Sequence, residues 1–333
     1  MLQLLLGGSG SGKTTLLYQR IRARAEKGEK SILLVPEQFT SSTEGRIYRE
    51  LGDALSGMVE SFSFTSLAEK ILSTEGGAAV QTLSDAGRAV LVRRALEELQ
   101  DNVHYYHRHR RSAAFCQMAA QTIDELKSAG LSGQQLAQLA GACGAESGKL
   151  SELALIFQGY ETLLARSGMD PSDRLELAGA RLEEALARHS LPEFLRDRAV
   201  FIDEFDTFNA PKKRLLGAML AALPSVTVAL CDDGAPLLPG DLSLFSGAKQ
   251  VAAQLRQLAR KNGAEVAVPQ LLRKDLRHRN APGLAAVAEL LETGSCIADA
   301  PADEVRLFAA PSREEEARAA AQAGDVPVGA VIV

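Results

Sequence analysis

The 333-residue sequence lacks three features that would each point to a particular class of protein. It has no apolar run near the roughly 18 residues of a membrane-spanning helix. The short run Leu2–Leu6 also lacks the basic flank and cleavage site of a signal peptide. The formal net charge is −5, so any nucleic-acid site must be local. We therefore expect a cytoplasmic protein that does not associate with membranes.

Cysteine is also scarce. Cys116, Cys143, Cys231 and Cys296 are far apart and include no CxxC pair, so they predict neither a disulfide framework nor a zinc site. We expect reduced and mostly buried thiols.

The first 35 residues have the pattern of a βαβ unit. Leu2–Leu6 is a continuous apolar run, which is typical of a strand buried on both faces of a parallel sheet. A glycine-rich turn follows, then a predicted helix over Thr14–Lys27 and a second apolar run at Ser31–Val35. This order of elements favours an α/β fold.

The rest of the chain divides by texture. Further strands are predicted at Met58–Phe64, Ala199–Ile202 and Val226–Leu230, and a weaker one at Glu265–Val268. Between about residues 84 and 190, apolar residues instead repeat at helical spacing. The sequence therefore predicts a parallel sheet interrupted by a large helical insertion.

The turn after the first strand matches the phosphate-binding pattern GxxxxGK[ST] without a mismatch. Glycines allow backbone N–H groups to face phosphates, and the following helix directs its positive end at them. Lys13 is expected to reach the β- and γ-phosphates and to act in catalysis, and the Thr14 hydroxyl to ligate Mg²⁺. The predicted ATP-binding residues are Gly7, Gly8, Ser9, Gly10, Ser11, Gly12, Lys13, Thr14 and Thr15.

Such a loop needs an acidic partner at the end of a neighbouring strand. The best candidate is Asp203-Glu204, which follows the apolar run AVFI. Asp203 would hold Mg²⁺, and Glu204 would orient and deprotonate the attacking water. A second acidic strand end, Asp232-Asp233, is either a sensor of the γ-phosphate or an ordinary surface turn.

Five stretches stand in the order found in the N-terminal domain of the AddB family. They are GGSGSGKTT, LLVPEQFTSSTE, VESFSFTSLAEKIL, VFIDEFDTFNAPKKRLL and VTVALCDD. Over roughly residues 1–315 the sequence resembles this family, whose members are one of the two subunits of the AddAB ATP-dependent helicase–nuclease. The resemblance implies a RecA-like P-loop domain of the superfamily 1 helicase type in residues 1–83 and 191–300, with an inserted helical subdomain in residues 84–190.

The resemblance also implies a function and partners. These are ATP- and Mg²⁺-dependent handling of single- and double-stranded DNA in recombinational repair of double-strand breaks, in a heterodimer with an AddA-type helicase–nuclease subunit. Residues 36–40 and 61–72 would lie along single-stranded DNA: Ser61, Ser63 and Thr65 as phosphate donors, and Phe62 or Phe64 either stacked on a base or packed in the core.

The sequence departs from the family in three respects. The segment CDDGAP lacks the glutamine with which superfamily 1 helicases sense the γ-phosphate. The second RecA-like lobe, and the nuclease domain with its iron–sulfur cluster, are expected of the full-length family but have no counterpart in this sequence. A single lobe should bind nucleotide but turn it over poorly, because the second lobe supplies arginines to the transferring phosphate.

Several signals stay open. The stretch 104–111 concentrates basic and aromatic side chains and is either a DNA-tracking patch or a solvated connection. Residues 212–214 and 273–279 are smaller basic clusters. Residues 301–333 are expected to be the start of a truncated second domain or a fused tail. The last residues, AGDVPVGAVIV, weakly resemble the first strand of TadA-type tRNA adenosine deaminases, although no deaminase activity is expected.

Two other functions are compatible with the glycine-rich loop. One is a P-loop phosphotransferase that acts on a small molecule, and the other is a non-catalytic interaction subunit stabilised by nucleotide. DNA dependence and nucleotide hydrolysis distinguish these functions from that of a helicase.

Overall fold

A sheet of six parallel strands organises the fold. The computed structural model describes residues 1–77, 81–144, 147–294 and 311–322. Cys296 and the deaminase-like residues 323–333 lie outside these ranges. The strand order is β3-β2-β4-β5-β1-β6, with β1 (Leu2–Gly7), β2 (Ser31–Leu34), β3 (Val59–Phe62), β4 (Ala199–Ile202), β5 (Ser225–Cys231) and β6 (Gln270–Leu272). The predicted α/β class with a parallel sheet is confirmed.

The helices precede, cover and follow the strands. They are α1 (Lys13–Ala25), α2 (Thr40–Leu51), α3 (Asp53–Ser56), α4 (Phe64–Glu75), α5 (Asp85–Glu98), α6 (Ala113–Ser128), α7 (Gly133–Ala140), α8 (Ser147–Ser167), α9 (Pro171–Ala187), α10 (Ala210–Ala222), α11 (Ser246–Lys261), α12 (Pro282–Thr293) and α13 (Arg313–Gln322). None of the helices within the described ranges is long and apolar enough to cross a membrane.

The apolar run of β1 is buried on both faces of the sheet. Leu2, Leu4 and Leu6 belong to the larger core, which α4, α9, α10 and α11 cover. Leu5 points to the opposite face and packs against α1 and α2. Because successive side chains of a strand alternate between faces, a strand covered on both sides must be apolar at every position.

The last strand differs from its prediction. Within Glu265–Val268 only Val266 pairs with the sheet, through an isolated parallel bridge to Leu2. Pro269 then follows, and β6 begins at Gln270, where it pairs with β1. Proline cannot donate to a strand ladder, which accounts for the interruption.

The predicted helical block has a core of its own. Val92, Cys116, Ile123, Phe157 and Tyr160 are buried together by α5, α6 and α8. Helix α9 instead contributes Leu175, Ala178 and Leu182 to the larger core beside the sheet. The domain boundaries at 84 and 190 stay a prediction.

The thiols are less buried than expected. Cys116, Cys143 and Cys231 are all free, as predicted, but only Cys116 is buried. Cys143 follows α7 in an exposed turn, and Cys231 lies at the exposed end of β5.

A buried polar cluster joins α6, α8 and the start of α9. The Tyr160 hydroxyl donates to Asp170 over 2.6 Å, and the Lys127 Nζ lies 2.7 Å from Asp170 and 2.8 Å from Asp173. The side chains of Lys127 and Asp170 are only 10% and 1% exposed. Burial raises the pKa of Asp173 despite the Lys127 contact. This cluster therefore depends on the lysine charge.

We predict that Lys127→Met destabilises the protein by about 3 kcal/mol, because it leaves buried carboxylates without their closest cation. Urea unfolding at neutral pH measures the loss. Arg93→Gln is the control: it breaks an exposed pair with Glu97 and should cost no more than about 0.5 kcal/mol. Equal stability of the two variants would contradict the assignment.

Candidate functional site

The carboxyl edge of the sheet carries a cavity of about 350 Å³. Ligand sites of open parallel sheets lie at this edge, where loops from different strands converge. The cavity is bounded by the glycine-rich loop on one side and by the residues after β4 on the other. Its lining comprises residues 9–15, Arg46, residues 203–206, Ala229, Cys231, Leu276 and Arg277.

The backbone of the loop requires glycine. Gly10 and Gly12 have positive φ angles of 74° and 88°, a region that disfavours residues with a Cβ atom. Gly12 directly precedes α1, and a Cβ there would lie 2.9 Å from Leu276 Cδ1. The glycines thus let the chain turn tightly and start a helix whose free N–H groups face the cavity.

Lys13 is folded back over this loop. Its Nζ donates to the carbonyl oxygens of Gly7 at 2.8 Å and Gly8 at 2.7 Å. The ammonium group is therefore held at the loop, and an anion bound there would compete with these carbonyls for it.

The structure brings Asp203 into contact with the loop. The Thr14 hydroxyl donates to its carboxylate, and the Glu204 N–H donates to Oδ1 over 3.1 Å. Burial raises the pKa of Asp203, and the Thr14 and Glu204 hydrogen bonds and the charges of Arg46 and Lys13 only partly offset this rise. The strands are not adjacent as expected, since β5 lies between β1 and β4. The side chains meet above β5.

Glu204 occupies a strained backbone position at the cavity wall. Its φ angle is 63°, in the left-handed region that non-glycine residues rarely adopt. Burial, and then the charge of Asp203, raise the pKa of its carboxyl group, and Arg46, Lys13 and Arg277 oppose the rise. The two carboxylates and three cations therefore share one electrostatic environment.

Asp232 and Asp233 lie elsewhere. They line a second cavity of about 380 Å³ together with Gly8, Ser9, Ser11 and residues of α12. The Asp232 carboxylate accepts from the Gly234 N–H at 2.7 Å, and Asp233 lies 3.2 Å from the Lys249 Nζ. The structure therefore does not bring this acidic pair together with Asp203 and Glu204.

Sequence reasoning missed Arg46 and reduced Arg277 to one member of a basic cluster. Arg46 lies on α2, 5.0 Å from the centre of the Tyr18 ring, and lowers the pKa values of both acidic residues. Arg277 Nη1 donates to Ser9 Oγ over 3.3 Å. The available signal for Arg46 was that α2 begins just after the carboxyl end of β2, at the same sheet edge.

The residues expected along DNA have mixed surroundings. Phe64 is 2% exposed and packs edge-on against Phe205 at 5.2 Å, so it is a core residue. Ser63 caps α4 through the Ser66 N–H. Phe39, in the turn after β2, is 38% exposed. Of the two alternatives for Phe64, the structure favours core packing.

The second basic cluster is also largely engaged. Arg214 is paired with Glu176 and Glu183. The Lys212 Nζ lies 5.6 Å from the centre of the Phe64 ring and 5.5 Å from that of Phe205. Burial lowers the pKa of Lys212, and the charge of Glu37 partly offsets it.

This sheet and its edge site place the protein in the RecA-like α/β class. Comparisons with known proteins define it further: residues 4–288 match the family model described as "ADDB, N-terminal". The chain belongs to this AddB N-terminal family.

Curated relatives carry a common name, which is that of the AddB subunit of the "ATP-dependent helicase/deoxyribonuclease". The chain is 34% identical to this subunit from Desulforudis audaxviator, 32% to that of Symbiobacterium thermophilum and 32% to that of Moorella thermoacetica. Each match covers 96% of this chain but only 28% of the relative. The chain thus spans little more than a quarter of the length of these proteins.

We predict that Asp203→Asn stabilises the free protein at pH 7.5 by about 1 kcal/mol, since functional sites commonly lower stability. The pKa of Asp203 is raised in the folded state. The wild type therefore loses stability as pH rises from about 4, the ordinary aspartate value, through the raised folded value. The variant lacks this loss, so its advantage should shrink towards pH 4.

Urea unfolding at both pH values measures the difference. Asp206→Asn is the control, because Asp206 is an exposed neighbour of the same charge and should change stability by less than about 0.5 kcal/mol. A variant Asp203→Asn that is less stable than wild type at pH 7.5 would refute the argument.

Proposed function

We propose that the chain is the ATP-binding, single-stranded-DNA-handling N-terminal part of an AddB-type helicase/exonuclease subunit. It would act in recombinational repair of double-strand breaks together with an AddA-type subunit. The observation that carries the proposal is the convergence of Lys13, Thr14, Asp203 and Glu204 on one cavity. The family membership and the names of the curated relatives support it.

The donor set fits a nucleotide with Mg²⁺. Mg²⁺ prefers oxygen ligands and in ATPases is held by one or two protein groups together with substrate phosphates. The Thr14 hydroxyl and the Asp203 carboxylate, already in contact, are such a pair. Bound Mg²⁺ would neutralise phosphate charge. Among the described residues no group of three or more His, Cys, Asp or Glu forms a metal site, in keeping with a cation held largely by its nucleotide.

Each side chain of the cavity has a distinct role in this proposal. Lys13 would exchange the Gly7 and Gly8 carbonyls for phosphate oxygens, and the N–H groups of the loop and of α1 would hold the rest of the phosphate. Glu204 would orient a water and accept its proton, for which a raised pKa is favourable. Arg46 and Arg277 would add positive charge within the same chain.

The DNA-handling part of the proposal rests on the neighbouring edge of the sheet. The turn after β2 presents Phe39 at the surface, and β3 with its following loop lies on the adjacent outer strand. An exposed ring beside hydroxyl groups suits a strand of unpaired bases. Helix α2 joins this turn to Arg46 in the cavity, which provides a direct physical connection between DNA and nucleotide.

We predict that Lys13→Ala weakens Mg·ATP binding about 10- to 100-fold, the value of one or two charge-assisted hydrogen bonds. Titration with a fluorescent ATP analogue measures the affinity. Lys27→Ala, which removes an exposed lysine just beyond α1, should bind as the wild type does. Asp203→Asn should retain Mg²⁺-free binding and lose the enhancement by Mg²⁺.

ATP hydrolysis with and without single-stranded DNA then separates the candidate functions. Hydrolysis stimulated by DNA supports the helicase-subunit proposal. Phosphate transfer that DNA leaves unchanged would favour a small-molecule phosphotransferase, and binding without turnover would favour a nucleotide-stabilised interaction subunit. No nucleotide binding by the wild type would overturn the proposal.

A further inference from the structure

The turn between α5 and α6 carries a concentrated positive charge. We call residues 104–111 the basic–aromatic turn. Its sequence, HYYHRHRR, contains three arginines and three histidines but no acidic residue, in a chain whose net charge is −5. Apart from Tyr106 and Arg110, which are half-buried, every residue of the turn is exposed.

The backbone of this turn is fixed by one carboxylate. Glu152, on α8, accepts N–H groups from His104 at 2.8 Å, Tyr105 at 2.8 and 2.9 Å, and Tyr106 at 3.2 Å. Burial acts to raise the pKa of Glu152, but these backbone donors outweigh it and the pKa is lowered. The carboxylate therefore stays ionised and orders the turn without covering its basic side chains.

The two tyrosines of the turn have different surroundings. Tyr106 stacks on Phe115 with the ring centres 5.4 Å apart, and the preceding Val103 is 1% exposed in the helical core. Tyr105 is 59% exposed, and the Lys149 Nζ lies 5.2 Å from its ring centre. One ring thus anchors the turn, while the other is presented to solvent beside further positive charge.

The arginines of the turn are not neutralised by carboxylates. Nowhere in the described ranges does an ion pair join Arg108, Arg110 or Arg111 to an acidic side chain, and the contact of Arg110 is with His107. The exposed arginines of α5 differ, since Arg93 pairs with Glu97 and Arg94 with Glu98. A rigid turn that keeps like charges together without counter-charges is suited to an anionic partner.

We propose that the basic–aromatic turn is a second contact for single-stranded DNA, in which the arginines bind backbone phosphates and Tyr105 stacks on a base. The inference rests on the DNA-handling part of the proposed function and adds a site on the helical block, separate from the sheet edge. Unpaired bases, rather than duplex or acidic protein, are favoured because an exposed ring stands among the arginines.

The test is fluorescence anisotropy with a labelled 30-nucleotide oligo-dT across a salt series. The triple variant Arg108→Gln/Arg110→Gln/Arg111→Gln should bind at least about tenfold more weakly, and the slope of log K against log salt should fall by about 2, from roughly 0.7 per phosphate contact. Tyr105→Ala should weaken binding at least about fivefold, and Tyr105→Phe should restore it.

The matched control is Arg93→Gln/Arg94→Gln/Arg188→Gln. It removes the same charge from exposed arginines that are paired with carboxylates, and it should retain most of the affinity and slope. Fluorescent ATP titration and thermal melting of every variant verify that the nucleotide site and the fold are intact.

The outcomes separate the two proposals. If wild type binds oligo-dT and the turn variant matches the control, this inference is wrong and the proposed function stands. Failure of wild type to bind oligo-dT overturns the DNA-handling part of the proposed function and this inference with it. If Tyr105→Ala has no effect, or duplex or an acidic polypeptide competes as well as oligo-dT, the turn is a general polyanion site and the inference is also overturned.

Discussion

The contact between Thr14 and Asp203 is the constraint on which the rest of the structure depends. It joins the loop after β1 to the end of β4 across an intervening strand. To hold it, the sheet must place both strand ends at one edge, and both faces of β1 must be covered so that the loop is rigid. Burial of Asp203 follows, with an ionised group that is poorly stabilised until a cation arrives.

Much of this arrangement could be predicted from the sequence because it depends on local chemistry. The apolar runs of β1, β2, β4 and β5 and the glycine pattern before Lys13 have few alternatives, so their positions were predicted closely. Other features depend on tertiary contacts. No local pattern shows that Arg46 turns towards Asp203, that Asp232 faces a different cavity, or that Pro269 delays β6.

The aromatic residues illustrate the same limit. Phe39 and Phe64 each follow a strand and resemble each other in sequence context, yet one is exposed and the other is buried against Phe205. Which ring is free to meet a ligand is decided by α10, whose residues come from a distant part of the chain. Family resemblance indicated the region, and packing then distinguished the individual side chains.

The helical block lies in the chain between the two halves of the cavity, and this has a consequence for folding. Thr14 and Asp203 are far apart in sequence, so closing a disordered chain between them would be slow and entropically costly. Helices α5 to α8 bury a core through nearby residues, and α9 then docks on the sheet side. Early collapse of this block shortens the effective loop. The insertion thus acts as an internal scaffold that brings the late-synthesised acidic strand to its partner.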